Sequence, residues 1–131
     1  NNERSVRISF VHTNTGKAII LADREQMLRA LNNLIRNAIQ AIPEGRQGVI
    51  EVQLSKEGGF YFVRITDNGS GIAEELRDKI FIPNFTTKGS GMGLGLAMTH
   101  TIIENIDGEI SYETQSNIGS TFIIKIPVIR Y

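Results

Sequence analysis

Two periodicities divide this chain. Residues 6–13 and 17–21 are apolar, β-branched runs separated by Asn14-Thr15-Gly16, a turn signal, and they predict two strands. From Asp23 the period lengthens. Met27, Leu28, Leu31, Leu34, Ile35, Ala38, Ile39 and Ile42 recur at helical spacing and give one broad apolar face. Asp23 and Gln26 form a capping-box pair at its start, and Pro43 and Gly45 end it. Alternation returns over residues 49–55, where Ile50, Val52 and Leu54 interleave with Glu51 and Gln53. Glu57-Gly58-Gly59 then turns the chain into a strand over residues 60–66. Residues 73–81 predict a short helix, and residues 94–106 a last helix stopped by Asp107-Gly108. Residues 109–114 and 121–128 predict closing strands joined through Asn117 and Gly119. About three helices and at least five strands in mixed order, without repeat or linker, predict one layer of helices on one mixed sheet.

Composition narrows the partners more than the fold. The chain has 131 residues, enough for one domain with a real core, and is 40% hydrophobic and 21% charged, as a globular protein should be. Its formal net charge is zero, which argues against a broad nucleic-acid or membrane surface. It has no cysteine, hence no disulfide frame and no cysteine zinc site. No signal peptide or spanning helix is visible. Asn1-Asn2-Glu3-Arg4 does not read as a natural start, so the chain is expected to be a piece of a longer protein.

Candidate chemistry centres on Thr86-Thr87-Lys88-Gly89-Ser90-Gly91-Met92-Gly93-Leu94-Gly95-Leu96. Four alternating glycines let backbone N–H groups approach an anion, and a phosphate chain is the expected ligand. The spacing matches neither Gly-x4-Gly-Lys-Ser/Thr nor Gly-x-Gly-x-x-Gly, so the P-loop and the dinucleotide fingerprint are both excluded. Alternating glycines are also poor helix formers, at roughly 1 kcal/mol each against alanine. The early ones therefore belong to a loop, with a helix starting near Gly93; a plain flexible surface loop is the competing reading.

Three further groupings surround this loop in sequence. Asn33, Asn37 and Gln40 share a helix face with Gln26, Arg29 and Arg36. This is either a solvated face or a pair of amide oxygens aimed at a metal–phosphate group, since magnesium takes one or two oxygens from protein and the rest from phosphate and water. Asp67-Asn68-Gly69-Ser70-Gly71-Ile72 ends the second predicted strand of the alternating pair. Tyr61, Val63 and Ile65 form its apolar row and Asp67 continues it, so a carboxylate faces the core side and needs a partner; the exocyclic amine of a base would serve. An ordinary Asp-Asn-Gly turn is the alternative there. Finally, Phe81 and Phe85 precede the glycines and would anchor a mobile loop at its base while packing into the core.

Taken in order, these blocks resemble the catalytic, ATP-binding domain of sensor histidine kinases, part of the wider GHKL group with gyrase and MutL. Asn33-Leu34-Ile35-Arg36-Asn37-Ala38 looks like the N box, and Asp67-x-Gly69-x-Gly71 like the G1 box. Residues 81–85 resemble the F box, residues 89–96 the G2 box, and Gly119-Ser120-Thr121 the closing G3 motif. Phe85-Thr86-Thr87-Lys88 is similar to nitrogen-regulation-type sensor kinases in particular. The resemblance implies an α/β (α+β) two-layer sandwich, a mixed five-stranded sheet covered on one face by three helices, with a mobile ATP lid. It implies ATP and Mg2+ as ligands, with Asn37 holding magnesium and Asn33 supporting the phosphates. Asp67 would accept from the adenine amine with help from Thr121 through water. Gly69, Gly71 and Ile72 would line the base pocket beside Ala41, which stands where many relatives carry a tyrosine that packs on adenine. Thr86, Thr87 and Lys88, with the backbone of Gly89, Ser90, Gly91, Met92, Gly93, Leu94, Gly95 and Leu96, would form the lid between Phe85 and the last helix. Departures from the pattern are Gln40 for a lysine, Ala41 for that tyrosine, and Asp107-Gly108 for His-Gly.

The hydrolytic members carry a glutamate base four residues before the magnesium asparagine. Here that residue is Asn33, an amide that takes no proton, which favours transfer over hydrolysis. Transfer rests on positioning and charge neutralisation, for which Asn33, Asn37, Thr87 and Lys88 are the candidates. The acceptor histidine is expected on a separate dimerisation domain of the same protein, because His12 and His100 lack the acidic follower that marks it. A response regulator receiver domain would take the phosphoryl group onward. The resemblance implies a cytoplasmic domain without nucleic-acid or membrane contact. The rival readings are a hydrolytic GHKL ATPase, a serine kinase of the anti-sigma type, and a non-enzymatic nucleotide sensor.

Overall fold

The computed structural model describes residues 6–12, 24–82 and 96–128. Five strands, β1 (Val6–His12), β2 (Gly48–Glu57), β3 (Phe60–Asp67), β4 (Glu109–Gln115) and β5 (Gly119–Pro127), form one sheet in the order β1-β2-β3-β5-β4. β1 and β2 run parallel, linked across α1 (Arg24–Gln40), and the remaining pairs are antiparallel. The sheet is therefore mixed, as the sequence predicts. The second helix is α2 (Leu96–Glu104).

Strand parity decides which face is covered. Tyr61, Ile65 and Asp67 of β3 are buried, and in register beside them lie buried Ile126, Phe122 and Ser120 of β5. Ala30, Leu34 and Ala38 of α1 and Leu96, Ile102 and Ile103 of α2 pack on that row to form the core. At roughly 1.5–3 kcal/mol per buried large aliphatic side chain, this cluster is the main source of stability. Leu28, which the periodicity places on the apolar face of α1, is 49% exposed and lies off the buried stripe. The opposite face of the sheet bears no helix among the described residues. It carries polar residues and aromatic rings roofed by cations: the Arg64 guanidinium lies 4.8 Å from the Phe62 ring centre, and Lys125 Nζ lies 4.2 Å from that of Phe60.

One predicted helix is not formed as such. Residues 73–81 contain only a single 3-10 turn, Glu74–Leu76, followed by further turns. Tertiary partners hold this segment in that shape. Tyr112 Oη donates to the Arg77 carbonyl (2.7 Å), an acceptor that a continuing helix would need, and Arg77 Nε donates to the Ile72 carbonyl (3.0 Å). Phe81 lies against Tyr112, which packs on Phe122, so these turns are fastened to β4 and β5. The described residues thus show two helices over the sheet where three are expected. The predicted strand over residues 17–21 and the cap residue Asp23 lie outside the described residues.

Candidate functional site

The central strand β3 delivers Asp67 to the end of the sheet beneath the C-terminal turn of α1. The alternation of β3 puts its carboxylate on the covered face, where it is 5% exposed. The Gly69 N–H donates to Asp67 Oδ1 at 2.8 Å. Burial raises the Asp67 carboxyl above the ordinary aspartate range, while backbone hydrogen bonds from Gly69 and Ser120 pull the other way. The site therefore holds a partly satisfied, desolvated acceptor, the chemistry that suits a neutral N–H donor on a ligand.

The loop after Asp67 is pressed against α1. The Ser70 N–H donates to the Ala41 carbonyl at 3.0 Å, and a Cβ on Gly69 would stand 2.5 Å from that same oxygen. Gly71 adopts a φ of +79° and runs equally close to the Gln115 carbonyl, so glycine is required at both places. The Ile72 N–H donates to Thr114 Oγ1 (2.9 Å), which in turn is hydrogen-bonded to Ser120 Oγ (2.8 Å). The Asn117 N–H donates to the Ser70 carbonyl at 2.8 Å. Ala41, Gly69, Gly71 and Ile72 thus lie in the loop contacts next to Asp67.

Asn37 lies one turn before Ala41 on α1, whose N–H donates to the Asn37 carbonyl at 3.0 Å. Its side chain is 2% exposed, and among the described residues Nδ2 of Asn37 and Nδ2 of Asn33 are buried without a hydrogen-bond partner. A buried amide left unpaired is costly unless a ligand engages the group. Asn33 also lines a groove of about 330 Å³ along α1 with Glu25, Arg29 and Arg36, a mixed-charge lining whose two guanidinium groups suit phosphate oxygens. The unpaired Nδ2 donors of Asn33 and Asn37 suit phosphate oxygens, and the Asn37 amide also has the oxygen donor that magnesium takes from protein.

Thr121 lines a shallow cleft of about 210 Å³ together with Asp67 and Ser120, while its hydroxyl lies on the uncovered face, 3.0 Å from that of Thr66. Ser120 is the register partner of Asp67 and is 3% exposed, so the hydroxyl on the carboxylate side belongs to Ser120. The signal was present in the sequence: Ser120 shares the parity of the apolar Phe122, Ile124 and Ile126, whereas Thr121 does not. Phe81 packs at the edge of the core, its ring 5.3 Å from that of His100. His100 Nδ1 lies 3.2 Å from Glu104 Oε1, a contact within α2. Leu96 is fully buried at the start of α2. Phe85, Thr86, Thr87, Lys88, Gly89, Ser90, Gly91, Met92, Gly93, Leu94 and Gly95 lie outside the described residues.

A buried carboxylate at the end of a central strand, a glycine loop pressed on a helix and a buried asparagine one turn earlier define a nucleotide-type site on an α/β sandwich. Residues 22–130 match the family described as histidine kinase-, DNA gyrase B- and HSP90-like ATPases, and the chain belongs to that family. Within it, the similarity is to sensor histidine kinases. The chain is 43% identical over 127 residues to the sensor histidine kinase ZraS of Escherichia coli (strain K12), covering 97% of this chain and 27% of that protein. It is 36% identical over 109 residues to sporulation kinase B of Bacillus subtilis, covering 83% of this chain and 25% of the relative. The catalytic domain of histidine kinase ThkA, solved nucleotide-free, superposes with a TM-score of 0.79 at 36% identity over 93% of this chain and 78% of that one. The chain spans about a quarter of the length of these curated relatives. It is a histidine kinase ATPase domain of the kind found in two-component sensor kinases.

Proposed function

We propose that this domain binds Mg-ATP and donates the γ-phosphoryl group to a histidine on a separate dimerisation and phosphoacceptor domain of the same protein, from which a response regulator is phosphorylated. The observation that carries this reading is a buried, partly satisfied Asp67 together with the buried Asn37, whose Nδ2 has no hydrogen-bond partner among the described residues. Asp67 accepts from the exocyclic amine of adenine, and Ser120 presents a hydroxyl on the same side. Gly69, Gly71, Ile72 and Ala41 wall the base. Asn37 supplies an amide oxygen to the metal, and Asn33 with Arg29 and Arg36 lies along the phosphates. Magnesium, when bound, neutralises phosphate charge and orients the terminal group. From the resemblance alone, Thr87 and Lys88, which lie outside the described residues, are assigned to the terminal phosphate.

The domain acts in the cytoplasm as part of a longer kinase. No described helix is long and apolar enough to cross a membrane. With Asn33 in place of a general base, the domain is expected to hydrolyse ATP slowly. Calorimetry with and without magnesium tests the ligand assignment: Asn37→Ala is expected to abolish magnesium-dependent ATP binding, and an unchanged affinity refutes it. Acid-labile phosphate on the native acceptor supports histidine transfer; acid-stable phosphate or rapid turnover by the isolated domain replaces it with the serine-kinase or hydrolytic reading.

A further inference from the structure

Asp67 and Arg46 are joined through one peptide unit. Arg46 sits in the connection between α1 and β2, and its Nη1 donates to the Asn68 carbonyl at 2.7 Å and to the Gly69 carbonyl at 3.1 Å. The Asn68 carbonyl and the Gly69 N–H belong to the same peptide group, and that N–H is the one that donates to Asp67 Oδ1 at 2.8 Å. A guanidinium on the oxygen end of a peptide fixes its plane and draws electron density toward the oxygen, so its N–H becomes a stronger donor.

The Asn68 side chain secures the same peptide from the other side. The Val49 N–H donates to Asn68 Oδ1 (2.8 Å), and Asn68 Nδ2 donates to the Gln47 carbonyl (3.0 Å). These two bonds tie the loop to the start of β2, next to Arg46 in the chain. The loop between α1 and β2 therefore grips the loop after β3 by four hydrogen bonds, while Ala41 presses on it from the end of α1.

We infer that Arg46 is a positioning residue for nucleotide recognition: through the Asn68–Gly69 peptide it sets the place and direction of the Asp67 carboxylate that reads the base. Arg46 acts at the base end of the site and not at the phosphates, so its loss should affect ATP and ADP alike and should blur the choice between adenine and guanine. A lysine keeps the charge but presents a point donor in place of a planar fork, and so should hold one carbonyl but not both.

This inference rests on the ATP-binding reading, and the experiment separates the two. In the 131-residue chain, the Gly69 amide is followed by its proton chemical shift and hydrogen exchange in nucleotide-free Arg46→Met and Arg46→Lys, with the Ile50 and Ile65 amides as internal references. Binding of ATP, ADP and GTP is measured by calorimetry. In Arg46→Met the Gly69 proton is expected to move upfield and exchange faster while the references stay put. The dissociation constants for ATP and ADP should rise together by about tenfold, the loss of one charge-assisted bond. The preference for ATP over GTP should narrow, and Arg46→Lys should lie between. An unmoved Gly69 amide with unchanged affinities overturns the inference, as does a loss of affinity that leaves the base preference at its wild-type value. If the wild-type chain binds no nucleotide while the Gly69 amide still responds to Arg46, the ATP reading fails and the link from Arg46 to Asp67 stands.

Discussion

Gly69→Ala is the substitution whose consequence can be worked most directly from coordinates. An added Cβ would stand 2.5 Å from the Ala41 carbonyl oxygen and 2.8 Å from both the Ala41 carbonyl carbon and its Cβ. These atoms are backbone or fixed to it, on a helix end packed into the core, so no side chain can swing aside. The loop must retreat by about an ångström to reach ordinary van der Waals separation. That retreat stretches the bond from the Ser70 N–H to the Ala41 carbonyl, now 3.0 Å, and carries the Gly69 N–H away from Asp67. Overpacking of this kind costs about 1–3 kcal/mol, and a weakened hydrogen bond adds about 1 kcal/mol. For a domain of this size the melting temperature should fall by about 10 °C. ATP affinity should fall by at least about tenfold, since the carboxylate proposed to read the base loses its support.

Gly58→Ala is the matched control. Gly58 has a φ of +61° but nothing within 4 Å of the added Cβ, so only the left-handed backbone penalises alanine, by about 1–2 kcal/mol. Its melting temperature should fall by roughly half as much as that of Gly69→Ala, with ATP affinity unchanged. Differential scanning calorimetry and binding calorimetry on both variants make the comparison. If Gly69→Ala melts within a degree or two of Gly58→Ala and binds ATP like the parent, close approach to α1 is not what glycine serves there.

Two further predictions use the same site. Burial holds the Asp67 carboxyl above its ordinary range, so the folded state favours the proton. The stability that proton confers is present at low pH and is lost as pH rises from the ordinary aspartate range through the raised value. Asp67→Asn should therefore be no less stable than the parent to urea at pH 7, yet bind ATP about tenfold to a hundredfold more weakly. In the parent, ATP affinity should decline on acidification at a pH above that of a solvent-exposed aspartate; a flat profile down to the ordinary range would count against Asp67 as the base acceptor. Tyr112→Phe removes the 2.7 Å bond to the Arg77 carbonyl but keeps the ring against Phe81 and Phe122, and should cost about 1 kcal/mol in urea unfolding.

Much of this was legible in the sequence because burial leaves a periodic trace. The apolar spacing of Leu31, Leu34 and Ala38 on α1 and the parity of Tyr61, Val63, Ile65 and Asp67 on β3 each gave the correct buried face. The segment after Ile72 misled because Ile72, Leu76 and Ile80 also recur at helical spacing, while what shapes it are a long-range bond from Tyr112 to the Arg77 carbonyl and a local one from Arg77 to the Ile72 carbonyl. Ser120 went unnamed as a neighbour of Asp67 because the parity of Phe122 was not carried back by two residues. Arg46 and Asn68 carry no local signature, because their partners are backbone atoms brought near only by the fold.

The strand order has a bearing on when such a site can exist during synthesis. β5 is the last described strand, yet it lies between β3 and β4 and supplies Ser120 opposite Asp67. A nascent chain that has made everything up to residue 118 has β3 unpaired along one side and β4 with no strand to join. The base pocket then lacks a wall. On the proposed function, nucleotide capture waits for β5 to leave the ribosome, and a domain that arrests earlier is expected to stay ligand-free and open to proteolysis along β3.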